Sequence, residues 1–178
     1  MSIEKITTQI KKQGDKIPPV ELWDPDYCGE IDLQIKSNGD WFYNNTIFKR
    51  PALVKLLASV LKKEQNDYFL VTPVEKLKIS VEDAPFVLTQ WQWLDESNKT
   101  MLVKNNVDNE FILNEEHPIT INTNGELYVT VRRNLLAKVH RNIYYQWVNI
   151  ATETQTPEGS ELILTSAGCQ FSLSRFCQ

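Results

Sequence analysis

At 178 residues with 42% hydrophobic side chains, the chain can bury a real core as one domain or two small ones. Its net charge of −4 lacks the basic excess that neutralises phosphates along a duplex, so duplex nucleic acid is not an expected partner. No apolar run approaches the roughly 20 residues that span a bilayer, which argues against membrane insertion.

The first segment, Ile3 to Gln13, spaces Ile3, Ile6 and Ile10 as a helix does and predicts a short N-terminal helical extension over residues 1–17. It carries no apolar signal core. The cysteines, Cys28, Cys169 and Cys177, are odd in number and suit a reducing compartment better than a disulfide framework. Together these place the protein in the cytoplasm. Val20 to Gly29 reads as an irregular arm that covers a sheet edge or lines a cleft, with Trp23 its largest group.

Ile31, Leu33 and Ile35 alternate with polar residues, the period of a half-buried strand. Asn38-Gly39 predicts a two-residue hairpin turn, and Trp41 to Tyr43 the returning strand. Pro51 suits a first helical position, and a helix is predicted from there to Lys63, with Leu53, Leu56, Leu57, Val60 and Leu61 as its apolar stripe and Lys62 and Lys63 at its C-terminal end. Strands follow at Tyr68–Thr72, Lys76–Val81, Phe86–Leu94, Thr100–Lys104 and Phe111–Leu113. Pro118 opens a second strand, turn and strand, Ile119–Thr123, Asn124-Gly125 and Leu127–Val129, then a predicted helix over Asn134–Ile150. Thr152–Ser160 reads as a polar loop, and a last hairpin turns at Ala167-Gly168.

Gly39 and Gly125 lie 86 positions apart, and each sits in a strand–turn–strand–helix run. The chain therefore reads as an α+β protein of two repeated antiparallel half-domains, residues 18–85 and 86–178, with a natural ligand site at their junction.

Chemical motifs are scarce. The glycines form neither a dinucleotide-binding turn nor a phosphate loop, and there is no Cys-x-x-Cys. His117 reads as a solvated or turn-capping residue, His140 as a satisfied helix-face histidine, Cys28 as a buried small side chain, and Trp91 and Trp93 as packing groups. No metal or cofactor is expected. One constellation stands out. Lys49-Arg50 and Arg132-Arg133 each precede a predicted helix, where the helix dipole disfavours cations by about 0.3–1 kcal/mol. Three readings fit: charge pairs reaching into water, an internal salt-bridge network with Glu75, Glu82 or Asp83, or an anion-binding cleft. The third gives a ligand site of Arg50, Lys76, Arg132, Arg133 and Trp23.

The runs Pro18–Trp23, Tyr27–Asp32, Gly39–Tyr43, Arg50–Val54, Tyr68–Lys76 and Val81–Val87 form a distinctive string. A looser match continues through Asn106-Val107-Asp108, His117-Pro118 and Arg132 to Ala167-Gly168. On these the chain resembles the bacterial family catalogued as domain of unknown function 1285. It departs from the family pattern at Asn134, where many members have aspartate followed by glycine. The resemblance implies a duplicated core, a C-terminal half loosely like pleckstrin-homology folds, a junction pocket for a nucleotide-like ligand, and a signalling role. It supplies no catalytic residues. The leading expectation is a non-enzymatic module that binds a small anion. The alternatives are a protein-interaction adaptor using exposed aromatics, and a hydrolase acting through Glu82, Asp83 and Asp108.

Overall fold

The structure, a computed structural model, describes residues 18–157 and 159–177, with Thr7, Thr8 and Ile10 of the leading segment. Apart from those three residues, the predicted N-terminal helical extension lies outside the described residues. The chain divides into two compact units, Met1–Pro85 and Phe86–Gln178.

In the first unit a single 3-10 turn, Val20–Leu22, leads to β1 (Tyr27–Ile35), β2 (Trp41–Tyr43), β3 (Thr46–Ile47), α1 (Pro51–Ser59), β4 (Leu61–Glu64), β5 (Asp67–Val71) and β6 (Lys76–Val81). The strands form one sheet in the order β3-β2-β1-β6-β5-β4. Its neighbours are antiparallel except β1 and β6, which run parallel at the centre. Leu33, Ile35, Trp41, Leu57 and Leu77 fill the core. The helix begins at Pro51 as predicted but ends at Ser59, four residues short of Lys63. Leu57 and Ala58 are buried, while Leu53 and Leu56 are half-buried. Val60 and Leu61 leave the helix because Leu61, Lys62 and Lys63 pair with Leu70, Phe69 and Tyr68, and Gln65 (φ 54) turns the hairpin between β4 and β5. Lys62 and Lys63 are therefore strand residues rather than helix-end cations.

The second unit has β7 (Phe86–Trp93), β8 (Met101–Asn105), β9 (Glu110–Ile112), β10 (Ile119–Ile121), β11 (Leu127–Arg132), β12 (Leu135–Val139), α2 (Arg141–Ile150), β13 (Thr152–Thr156), β14 (Gly159–Ser166) and β15 (Cys169–Cys177). Six strands form a sheet in the order β10-β11-β12-β7-β8-β9, and the last three form another. The helix predicted over Asn134–Ile150 is half strand. Leu135, Ala137 and Val139 are buried in alternation, a period of two, and β12 is held by β11 on one side and by β7 on the other. Only Arg141–Ile150 is helical, burying Ile143 and Trp147 one turn apart. The expected polar loop Thr152–Ser160 instead supplies β13 and the start of β14. Neither six-stranded sheet is purely antiparallel, since β7 and β12 are also parallel. The molecule is thus mostly sheet, with two helices among the described residues.

The duplication is visible in the hydrogen bonds. In the first unit Gly39 N donates to Lys36 O, Lys36 N to Asp40 O, and Asn44 N to Asp32 O. In the second, Gly125 N donates to Asn122 O, Asn122 N to Glu126 O, and Thr130 N to Pro118 O, each bond shifted by 86 positions. The pairs Leu33↔Tyr43 and Ile35↔Trp41 recur as Ile119↔Val129 and Ile121↔Leu127. The turn is longer than the two-residue type predicted. Its glycine, Gly39 or Gly125, takes positive φ (89 or 79) and the preceding asparagine does not. Three strands, a helix and three strands follow in the same order in both copies, β1 to β6 with α1 and β10 to β15 with α2. The strands β7 to β9 are additional.

Candidate ligand site

The residues proposed from sequence as one anion site belong to two units. Arg50 is exposed at the N-cap of α1 and has no side-chain capping bond. Lys76 opens β6, is paired with Glu64, and lies 4.7 Å from the centre of the Phe69 ring. Its hydrogen bond is the leading cause that holds the Glu64 carboxyl below its usual range. Trp23 is half-buried at the end of the 3-10 turn, which lies against the edge strand β4. Arg132 and Arg133 lie in the second unit, Arg132 as the last residue of β11 and Arg133 in the turn that leads to β12. They do not precede a helix. The residues before α2 are Val139 and His140, and the His140 ring caps it by accepting from Asn142 N at 3.2 Å. The doubled cation-before-helix pattern is therefore a coincidence of sequence, not an equivalence of structure.

Within the second unit, Arg132 has an unusual setting. Its guanidinium lies 5.3 Å from the centre of the fully buried Phe86 ring, a cation–π contact. Its Nη1 donates to Asn109 Oδ1 at 3.4 Å. Burial first, and the neighbouring charge of Arg133 second, pull its pKa down to about 10. Arg133 is exposed and takes a left-handed backbone conformation (φ 53).

Asn109 is positioned by the turn between β8 and β9. Asn105 is buried, and its Oδ1 accepts from Val107 N at 3.1 Å and Asn109 N at 2.9 Å. Asn106 clasps the start of β7: its Oδ1 accepts from Val87 N at 3.0 Å and its N donates to Val87 O at 2.9 Å. One asparagine turn thus ties the residue next to Phe86 to the residue that meets Arg132. Sequence reasoning missed Asn105, Asn109 and Phe86 as parts of this site. The available signal was the run Asn105-Asn106-Val107-Asp108-Asn109, since asparagine side chains bond their own backbone in turns.

The other candidates are accounted for locally. Glu82 takes Lys36 Nζ at 2.7 Å and Ser37 N at 3.0 Å, and these bonds lower its pKa. Asp108 pairs with Lys104 at 3.1 Å. Among the described residues no three His, Cys, Asp or Glu side chains are grouped to hold a metal ion. His117 is a turn residue whose Nδ1 lies 2.9 Å from Thr130 O and whose ring packs on Phe111. Cys28 is not buried as expected; it is partly exposed, and its thiol donates to Asp26 O at 3.2 Å. Trp91 and Trp93 pack edge to face, centroids 5.6 Å apart, and Trp91 Nε1 donates to Gln146 Oε1 at 2.7 Å.

The N-terminal domain of DUF1285, a domain of unknown function, matches residues 18–84, and the C-terminal domain of the same family matches residues 85–173. The chain is a member of the DUF1285 family. It is similar to a crystallised DUF1285 family protein from Silicibacter pomeroyi DSS-3, at 30% identity and a TM-score of 0.82 over 96% of this chain and 93% of that one. It is also similar to a DUF1285 family protein from Shewanella baltica OS155, at 28% identity and a TM-score of 0.56 over 66% of this chain and 90% of that one. No curated protein matches it. The family domains meet at residues 84 and 85, beside the division between the units at Pro85. No described helix is long and apolar enough to cross a membrane.

Proposed function

We propose that this DUF1285 protein is a non-enzymatic binding module for a small anion of the nucleotide class, anchored by Arg132, with a role in signalling. One observation carries the reading. The half-buried Arg132 guanidinium lies against the Phe86 ring, held by Asn109 and next in the chain to a second arginine. Two adjacent cations attract an arriving phosphate or carboxylate, and a guanidinium offers the two-pronged donor that fits either. Phe86 and Asn109 fix the orientation of the fork. The loose likeness of the second unit to pleckstrin-homology folds is part of the proposal, supported by the helix α2 that follows the strand meander. So is a cytoplasmic setting, in keeping with the free thiols of Cys28 and Cys169.

The test is a thermal-shift series with ATP, GTP, pyrophosphate and inorganic phosphate on wild type, Arg132→Ala and Arg132→Lys. A probe at 100 times its dissociation constant stabilises the wild type by about 2.7 kcal/mol. Arg132→Ala should lose that response, and Arg132→Lys should keep a reduced one because it lacks the fork. If no probe stabilises the wild type, or if Arg132→Ala responds as the wild type does, the reading is wrong. Should Arg132→Ala fail to fold, Arg133→Ala, at an exposed position, serves in its place.

A further inference from the structure

The chain holds two Asn-Gly pairs, Asn38-Gly39 and Asn124-Gly125, and they occupy the same place in the two copies of the duplicated core. Asparagine before glycine is chemically fragile, because the glycine has no side chain to keep its nitrogen away from the asparagine carboxamide. How each turn holds the two groups decides whether they react.

The first turn holds them tightly. Asn38 Nδ2 donates to Asp40 Oδ2 at 2.8 Å, and Asn38 Oδ1 accepts from Asp40 N at 3.0 Å. Both ends of the carboxamide are therefore engaged. Beside it, Ser37 N donates to Glu82 Oε2 at 3.0 Å and Lys36 Nζ pairs with Glu82 Oε1 at 2.7 Å, which ties the turn to the residue after β6. Gly39 is buried, and its N donates to Lys36 O at 2.9 Å.

In the second turn the bracing is done by a different residue. Glu126, the counterpart of Asp40, gives its N–H to Asn122 Oδ1 at 2.9 Å rather than to Asn124. Asn124 N donates to the same oxygen at 2.9 Å, and Asn122 Nδ2 donates to Glu126 Oε2 at 2.9 Å. Asn122 stands where the first copy has Lys36, so the turn is held from its base and its tip is left loose. The Asn124 side chain is exposed, and its carboxamide has no hydrogen-bond partner among the described residues. Gly125 is exposed where Gly39 is buried, and no atom lies within 4 Å of the place a β-carbon would take. Its N donates to Asn122 O at 3.1 Å.

We propose that Asn124 is a site of spontaneous deamidation in the folded protein, and that Asn38 is protected from the same reaction. Gly125 N gives its proton to hydroxide and bonds to Asn124 Cγ. The Cγ–Nδ2 bond breaks, and the nitrogen leaves as ammonia after taking a proton from solvent. Water then opens the five-membered imide at one of its two carbonyls, leaving aspartate or isoaspartate at position 124. Nothing is oxidised or reduced, and water with its hydroxide is the only co-reactant. Two differences favour the second copy. Carrying Cγ onto the glycine nitrogen breaks two side-chain bonds at Asn38 and none at Asn124. Solvent base also reaches Gly125 and not the buried Gly39. Two hydrogen bonds of ordinary strength, added to the barrier on one side alone, separate the rates by at least about tenfold. Either product places a new negative charge beside Glu126, and isoaspartate adds a carbon to the main chain next to the pair Ile121↔Leu127.

The experiment holds the full chain in mildly alkaline buffer and follows both sites by peptide mass mapping, with isoaspartate separated from aspartate by chromatography. Asn124 should convert at least about tenfold faster than Asn38. In the chain unfolded with urea the two rates should converge, since only local sequence then remains. Neither measurement needs a variant. Asp40→Ala removes the acceptor of Asn38 Nδ2, so it should speed Asn38 severalfold and leave Asn124 unchanged. The proposal is overturned if Asn38 reacts as fast as Asn124 in the folded chain, or if Asn124 stays intact for as long as the unfolded chain needs to lose it. The same rate ratio in urea would overturn it too, by assigning the difference to sequence. An unchanged Asn38 rate in folded Asp40→Ala would overturn the assigned cause of its protection.

Discussion

Asn105 offers the sharpest test of how the arginine site is held. It is a polar residue 1% exposed, and its one carboxamide oxygen serves two backbone donors, Val107 N at 3.1 Å and Asn109 N at 2.9 Å. In Asn105→Ala both donors lose their acceptor. An unsatisfied buried donor costs about 1–3 kcal/mol. Val107 is buried and should bear a full penalty, while Asn109, closer to the surface, recovers part of its bond from water. The expected loss is therefore about 2–4 kcal/mol in the second unit. With a urea m-value of about 1–2 kcal/mol/M, the unfolding midpoint should fall by about 1–4 M at unchanged m. Glycine amide resonances give the readout, because Gly125 and Gly168 report the second unit while Gly29 and Gly39 report the first. The loss should appear at Gly125 and Gly168. Since Asn109 also meets Arg132, the same variant should weaken any anion response. A loss below about 0.5 kcal/mol at Gly125 and Gly168 would refute the claim that Asn105 organises this turn.

Two further outcomes follow from the packing and the charges. Leu57 is 0% exposed, so Leu57→Ala should cost about 2–5 kcal/mol, read at Gly29 and Gly39 in the same titration, and a loss under 0.5 kcal/mol would place its side chain outside the core. Asp95, in the turn after β7, is held down to about 2 by hydrogen bonds from the Ser97 hydroxyl first and the Lys99 N–H second. Its charged form is favoured by folding, so its contribution is complete above its ordinary value of 3.8 and is lost as pH falls through about 2. Carbon-detected titration of the carboxyl should show the low midpoint, stability should decline over that window, and Asp95→Asn should flatten the decline. A midpoint near 4 would contradict the turn geometry.

The sequence by itself determined the local grammar. Alternation predicted β1, the Asn-Gly signals located both turns, Pro51 started α1, and the 86-residue recurrence revealed a duplication that the hydrogen bonds reproduce one for one. These features are legible because each depends on neighbours in the chain: a glycine free to take positive φ, a proline fixing the first helical turn, side chains two apart on one face. What failed depends on partners distant in sequence. Leu135–Val139 carries apolar residues that suit a helix or a strand, and β7, 51 positions earlier in each pair, decides for strand by pairing with Ala137, Lys138 and Val139. Lys62 and Lys63 became strand residues because β5 was there to receive them. The arginine site shows the same limit. Arg132 could be singled out as a charge, but its burial against Phe86 and its bond to Asn109 exist only once β7, β11 and the turn after β8 are folded together. The two copies share a local plan, and what tells them apart is tertiary: β12 pairs with β7, and the ladder between β1 and β6 has no counterpart between β10 and β15 among the described residues. Such pairings are set by which edges meet, a long-range choice that no local window of residues encodes.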